Sequence, residues 1–158
     1  MKKITLTQGL FCTIDDTDEE LISDYKWCAR RDAGGHAYAV TGTRKACGLW
    51  STIRMHRLIM DPQPGLEVDH IDGNGLNNCR SNLRIASHSE NGRNSHLHKD
   101  SASGYKGVSW HRKDRAWRAR ITVNGEHIFL GNYRSQEEAH EAYCVASARF
   151  HGEFGRTA

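Results

Sequence analysis

The chain has little of what builds a secreted or membrane-bound protein. Its five cysteines, at positions 12, 28, 47, 79 and 144, are odd in number, widely spaced and never arranged as C-x-x-C. That pattern supports neither a disulfide framework nor a cysteine-based zinc site, and a reducing cytoplasm is the expected compartment. No charged-then-apolar leader opens the chain and no run of about 18 apolar residues exists, so it reads as neither secreted nor membrane-spanning. No repeat of about 20 to 50 residues is visible. Prolines number two, Pro62 and Pro64. With 158 residues, 37% of them hydrophobic, the chain can bury one modest core or two small ones.

Net charge is small and uneven in place. The net charge is +3, but residues 101–158 hold nine Lys and Arg against six Asp and Glu. Within that third, Lys106, Arg112, Lys113, Arg115, Arg118 and Arg120 crowd together with only Asp114 opposing them. A local excess of this kind is the footprint of a phosphate-facing surface.

Read along its length, the chain predicts an α+β protein. Residues 3–14 alternate loosely around Gly9 and predict a hairpin. In "DDTDEELISDY", Thr17 and Glu20 stand in capping-box register before a short helix whose acidic residues solvate its outer face. "KWCARR", "HAYAV" and "LWSTIRM" read as strands of a small antiparallel sheet that supports something else. "MHRLIM" gives one helical turn before the prolines stop it. Then "LEVDHI" and "NLRIAS" read as two strands joined by a loop, and Ser87 and Glu90 form a capping box for a short helix carrying Asn91.

Residues 96–104 carry no apolar period and read as a linker between residues 1–95 and residues 105–158. Beyond it, "YKGVSWHR" and "AWRARITVNGEHIFLGNY" give three strands, two of them joined by Asn124-Gly125. Trp117, Ala119, Ile121 and Val123 fall on one face and Arg118, Arg120 and Thr122 on the other. Ser135 and Glu138 cap a helix with Ala139, Ala142, Tyr143, Ala146 and Phe150 at helical spacing until Gly152 stops it.

The chemistry concentrates in "VDHIDGNGLNNCRSNLRIASHSENGRN", residues 68–94, which holds six asparagines, three carboxylates and two histidines. Phosphodiester hydrolysis needs a base for water and a hard cation for the charge developing on the phosphate. Asp69 and His70 are strand neighbours whose side chains diverge, so one suits a cation and the other a water. Asn82 on the returning strand is placed to hold the imidazole tautomer, and Asn91 to offer a carbonyl oxygen toward the cation of Asp69. An oxygen-only site suits magnesium or manganese rather than zinc. Asn74, Asn77 and Asn78 read as loop formers, Asp72 as a turn cap or an outer metal contact, and His56 and Arg57 as packing or phosphate contacts.

"HRLIM…PGLEVDHIDGNGLNNCRSNLRIASHSENGRN" resembles the His-Asn-His (HNH) nucleases, in particular the free-standing homing type of phages and introns. The likeness covers about residues 53–95, with an asparagine twelve positions after the histidine and another nine further on. It implies a ββα-metal fold, Asp69 and Asn91 as ligands of one divalent metal (Mg2+ or Mn2+), His70 as general base and Asn82 as its orienting residue. The implied products are 5′-phosphate and 3′-hydroxyl ends, and the implied setting is the cytoplasm of a bacterial host.

"SGYKGVSWHRKDRAWRARITVNGEHIFLGNYRSQEEAHEAYCVASARFHGEF" resembles the plant Apetala/ethylene-response-factor DNA-binding domain. That likeness implies a sheet laid in the major groove of double-stranded DNA, with Lys106, Ser109, His111, Arg112, Arg118, Arg120, Thr122, His127, Phe129 and Asn132 on or near the DNA. Ser109 and Thr122 stand where the plant pattern has arginines, so base specificity does not transfer. The expectation is a monomeric endonuclease with no membrane partner. The competing reading is a DNA-binding regulator with an inactive nuclease unit.

Overall fold

The computed structural model describes residues 1–44, 46–97 and 101–157. It is a mixed α/β structure with four small antiparallel sheets and four α-helices among those residues. The chain divides into two compact units, residues 1–88 and 89–158. None of the described helices is long and apolar enough to cross a membrane.

The first unit opens with the expected hairpin, β1 (Lys2–Thr5) against β2 (Phe11–Ile14). Its turn is left-handed at Gln8 and Gly9, with φ of 63° and 68°. Helix α1 (Glu19–Ser23) follows a 3-10 turn at Asp16–Asp18, and no side chain caps it. The Thr17–Glu20 capping box is therefore not made, and the acidic run does more than solvate the helix. Asp18 is buried and accepts from Arg80 Nε at 3.0 Å and Nη2 at 2.7 Å, while Asp15 accepts from the Arg80 backbone N–H at 2.8 Å. A buried carboxylate is stable only beside a cation that replaces its lost water, and that cation comes from 62 residues further along.

Strands β3 (Cys28–Arg31), β4 (Ala37–Arg44) and β5 (Trp50–Arg54) form the second sheet in that order. Helix α2 (Met55–Met60) ends at Asp61, whose φ of 41° is left-handed, directly before Pro62. Strands β6 (Glu67–His70) and β7 (Leu83–Ala86) then pair antiparallel, and α3 (His88–Arg93) follows them in sequence.

One core joins all of this. Leu6, Cys12 and Ile14 from the hairpin, Ile22, Trp27, Ala29 and Ala39, Met55 and Ile59 from α2, and Val68 and Leu83 from β6 and β7 pack in a single cluster. Ile14 and Met55 have no exposure at all, so each contributes about 1.5–3 kcal/mol of burial. The N-terminal sheet thus shares its core with the Asp-His hairpin that it supports.

In the second unit, β8 (Val108–His111), β9 (Ala116–Val123) and β10 (Glu126–Tyr133) form a sheet with β9 in the middle. Asn124 and Gly125, at φ of 51° and 85°, make the tight turn that their dipeptide predicts. Helix α4 (Gln136–His151) packs on the sheet through Ala139, Tyr143 and Ala146 against Val108, Ala119 and Ile121. Its N-terminus is capped as expected, with the Ser135 side chain accepting from the Glu138 N–H at 3.1 Å. Gly107, at φ of 72°, lies where any Cβ would enter the Tyr143 ring, so only glycine fits there. Of the expected linker 96–104, residues 98–100 lie outside the described residues. Ser103 is buried, with its hydroxyl 2.8 Å from the Val108 carbonyl oxygen, so this end of the segment is fixed on the sheet.

The Asp18–Arg80 pair ties the first helix to the loop that follows β6. Asp18→Ala is expected to lower unfolding free energy by about 1–3 kcal/mol, because Arg80 loses its charged partner. Urea unfolding at neutral pH measures it, and a loss under about 0.5 kcal/mol would make the pair an ordinary surface contact.

Candidate active site and nucleic-acid interface

Strand alternation and register place the Asp-His pair. In β6, Asp69 stands opposite Arg84 of β7 and His70 opposite Leu83. Residues opposite each other share a face, so the Asp69 carboxylate meets the Arg84 guanidinium, whose Nη2 donates to Oδ2 at 2.7 Å and Nε at 2.8 Å. Asp69, His70 and Asn82 are all buried. Asn91 lies on α3, in the second unit.

The loop from Ile71 to Asn82 is braced by its own short polar side chains. Asp72 accepts from the Asn74 N–H at 2.7 Å, from Asn77 Nδ2 at 2.8 Å and from Asn82 Nδ2 at 3.0 Å. Asn82 in turn accepts from the Asp72 N–H at 3.0 Å and donates to the Asn77 carbonyl oxygen at 2.9 Å. Burial pushes the Asp72 carboxyl up, but these donations outweigh it and hold it below the usual carboxylate range. Strand β2 fixes the loop from outside: Thr13 N–H donates to the Leu76 carbonyl oxygen and Asn78 N–H to that of Thr13, at 2.9 and 2.8 Å. A Cβ on Gly75 would lie 2.5 Å from both the Ala37 carbonyl oxygen and the Tyr38 ring, so glycine lets the loop reach β4.

The loop delivers Asn78 to His70. Asn78 is fully buried, and its Oδ1 lies 3.3 Å from His70 Nε2. The amide beside the imidazole is therefore that of Asn78, a loop former by its sequence pattern, and not that of Asn82. Asn82 acts on the loop, and through the loop on Asn78. With Nε2 donating to Asn78, Nδ1 is the acceptor nitrogen of a neutral His70.

A second histidine lies beside the first. His56, from α2, is 3% exposed, and its ring stands edge-on to His70 with centroids 4.8 Å apart and planes at 87°. Tyr38 of β4 completes the cluster, 5.8 Å from His56 and 6.0 Å from His70. Burial, then the neighbouring His70, Arg54 and Arg57 charges, push the His56 imidazole down to about 3. Its Nδ1 is buried without a hydrogen-bond partner. Burial also holds His70 below the usual histidine range, against the opposing pull of Asn78, Asp72 and Asp69. Sequence spacing gives no sign that these rings meet, because they stand 14 positions apart on different elements, α2 and β6.

Three or more His, Cys, Asp and Glu side chains do not cluster in metal-binding geometry anywhere among the described residues. The two donors that the resemblance implies, one carboxylate and one amide carbonyl, are of the chemistry that suits a hydrated hard cation rather than a closed zinc site.

In the second unit, register sorts the expected DNA-facing residues into rows. Ser109, Arg118 and Asn132 form one, Arg120 and Phe129 another, Thr122 and His127 a third. All seven lie on the face opposite α4. The Arg118 guanidinium lies 5.4 Å from the centroid of the Phe129 ring, and Thr122 Oγ1 is 2.9 Å from His127 Nδ1. Asp114, an exposed residue of the β8–β9 turn, accepts from Arg118 Nη2 at 2.8 Å and Asn132 Nδ2 at 2.9 Å, and lies 3.0 Å from His111 Nδ1. It organises three of the expected contacts. Arg112 is exposed on the same turn. Lys106 is turned inward, its ammonium donating to the Arg93 and Ser95 carbonyl oxygens at 2.6 and 2.9 Å.

Residues 62–93 match the family model described as HNH endonuclease. The chain belongs to the phage-type HNH endonucleases. It is 37% identical over 94 residues to Protein 3.8 of Escherichia phage T7, covering 58% of this chain and 75% of that protein. It is 28% identical over 149 residues to an uncharacterized HNH endonuclease of Acanthamoeba polyphaga mimivirus, covering 93% of this chain and 74% of that one. A 53-residue stretch, 32% of this chain, is 47% identical to 8% of an AP2-like ethylene-responsive transcription factor of Oryza sativa subsp. japonica. No solved structure matches the chain.

Neutral, buried histidines make stability depend on acid. Unfolded, His56 binds a proton near pH 6.5; folded, it does so only near pH 3. Its stabilising contribution is complete above pH 6.5 and is lost as the pH falls from 6.5 toward 3. The slope is up to about 1.4 kcal/mol per pH unit, in the same direction as that from His70. Urea unfolding at pH 7, 6, 5 and 4 should show this decline, and His56→Gln should flatten it; an equal slope in the variant would show that His56 already titrates normally.

Proposed function

We propose that the chain is a metal-dependent DNA endonuclease that hydrolyses phosphodiester bonds with His70 as general base. The observation that carries this is the buried, neutral His70 imidazole held by Asn78 beside Asp69, within a motif of a family of endonucleases. A general base for water must be unprotonated and correctly oriented, and burial and the amide contact favour both. His70 Nδ1 takes a proton as water attacks phosphorus; the bond from phosphorus to the 3′ oxygen breaks and that oxygen takes a proton from solvent, leaving 5′-phosphate and 3′-hydroxyl ends.

Asp69 would hold the divalent cation, Mg2+ or Mn2+, and Asn91 is assigned to it from its position in the family motif. When bound, such a cation neutralises charge developing on the phosphate and the leaving oxygen. Arg84 pairs with the Asp69 carboxylate and fixes one of its oxygens. Asn82 holds the loop that presents Asn78.

The ββα-metal arrangement assigned to β6, β7 and α3 belongs to this reading. So does the division into a nuclease part, residues 1–95, and a DNA-finding part, residues 105–158, acting as a monomer in the host cytoplasm. The three rows on the β8–β9–β10 sheet contact the major groove, where Arg118, Arg120, Phe129 and Asn132 lie centrally. The Arg84–Asp69 ion pair favours one alternative, because it already neutralises the proposed metal-binding carboxylate. Under that alternative the chain binds DNA and does not cut it.

Supercoiled plasmid with protein and Mg2+ separates the two. Cutting should stop with EDTA, fall at least about 100-fold in His70→Ala, and fall in Asn78→Ala with a smaller effect on KM. Because His70 titrates below 6.5, the acid limb of kcat/KM should lie below that pH. Cutting that survives EDTA or His70→Ala overturns the mechanism, and DNA binding without any cutting establishes the regulator.

A further inference from the structure

We infer that the outer face of the β3–β4–β5 sheet is a second nucleic-acid surface, which holds the phosphate backbone of the substrate duplex beside His70. The inference rests on the endonuclease reading for its substrate and on the sheet for its residues. Cross-strand partners share a face, and the register pairs Arg30 with Tyr38, Arg44 with Trp50, and Val40 with Arg54. Strand alternation adds Gly42 and Thr52 to the same side. The strand residues of this face include three arginines, two aromatics and no carboxylate.

The face borders a trough of about 690 Å³ whose lining includes Arg30, Arg54, Tyr38 and Thr52 of the face, Arg31 at the end of β3 and Arg57 of α2. All four arginines are exposed. Their contacts are with neutral groups: Arg30 Nη1 with Thr52 Oγ1 at 3.4 Å, Arg31 Nη1 with the Gly35 carbonyl oxygen, Arg57 Nη1 with that of Leu66, and Arg54 over the Tyr38 ring at 5.5 Å. Among the described residues none of the four has a carboxylate at ion-pair distance, whereas Arg80, Arg84 and Arg118 each do. Asp32 and Asp61 also line the trough, and Asp32 accepts from the His36 N–H at 2.9 Å.

Unpaired guanidinium groups spaced over one concave face match successive phosphates, which they bind in bidentate fashion. The face offers few acceptors for base edges, so it favours the backbone over base readout. Tyr38 lines the trough and also lies 6.0 Å from His70, which makes the surface continuous with the proposed general base. At the other end Trp50, 76% exposed, stands beside Arg44 and over Gly42, an aromatic plane next to a cation.

The test is binding of the full chain to a 20-bp duplex of arbitrary sequence, followed by fluorescence anisotropy in EDTA over a salt series. Arg30→Ala/Arg54→Ala/Arg57→Ala should weaken binding at least about tenfold at low salt and reduce the slope of log K against log salt by about two to three. Arg134→Ala/Arg149→Ala, outside this face, should leave the slope unchanged. If the triple variant melts early, Arg30→Ala alone, which loses one long bond, should reduce the slope by about one. An unchanged slope in a variant that melts like the parent overturns the surface. Because no cleavage is read, a triple variant that loses slope as stated, made from a parent that never cuts DNA, removes the endonuclease reading and leaves the surface standing. With Mg2+, a cutting parent should show a raised KM in the triple variant and a kcat within about twofold.

Discussion

The reciprocal bonding of Asp72 and Asn82 holds the loop that brings Asn78 to His70. The chain must leave β6 at His70 and return to β7 at Leu83, and the intervening loop has little apolar content with which to pack. Asp72 and Asn82 close its base by exchanging side-chain and backbone bonds, and Asn74 and Asn77 brace its interior. Short amide and carboxylate side chains suit this work because they satisfy backbone groups that a loop leaves open. The density of asparagines in this stretch is thus first a solution to loop closure. Its consequence is chemical, since the closed loop carries Asn78 to the imidazole and presents Leu76 and Asn78 to β2.

Burial then sets the electrostatics. His56, His70 and Tyr38 form an aromatic cluster in which the two imidazoles are neutral because charging either would leave a cation without water. The same burial would penalise the ionised Asp69, and Arg84 on the facing strand offsets that penalty. One sheet register therefore determines both which side the carboxylate faces and what steadies its charge. The core extending from Leu6 to Leu83 makes these positions rigid, because hairpin, sheet, α2 and β6–β7 share one packed interior.

The second unit repeats the logic with a different partition of polar groups. Alternation along β9 puts Ala119 and Ile121 against α4 and leaves Arg118, Arg120 and Thr122 outward. The single opposing charge in the basic run, Asp114, is not a defect of that surface. It holds Arg118 and Asn132 in place, and their hydrogen bonds keep its carboxyl below the usual range. Lys106 illustrates the converse. Its charge counted toward the basic footprint, but its ammonium is turned onto backbone carbonyls, and burial lowers its affinity for a proton.

By itself the sequence determined what is set by rules of short range: the strand alternation, the Asn124-Gly125 turn, the Ser135 cap, the Asp-His pair at a strand end and the asparagine spacing that marks the family. These depend on residues within about four positions of one another, or on a motif that the linear order preserves. Only the tertiary structure decided which amide touches His70, that Asp18 is buried against Arg80 instead of solvated, that His56 stands edge-on to His70, and that Asp69 faces Arg84. Each of those contacts joins groups at least eight positions apart, and a side chain finds such a partner only after the chain has reversed, fixed its register and excluded water from the site.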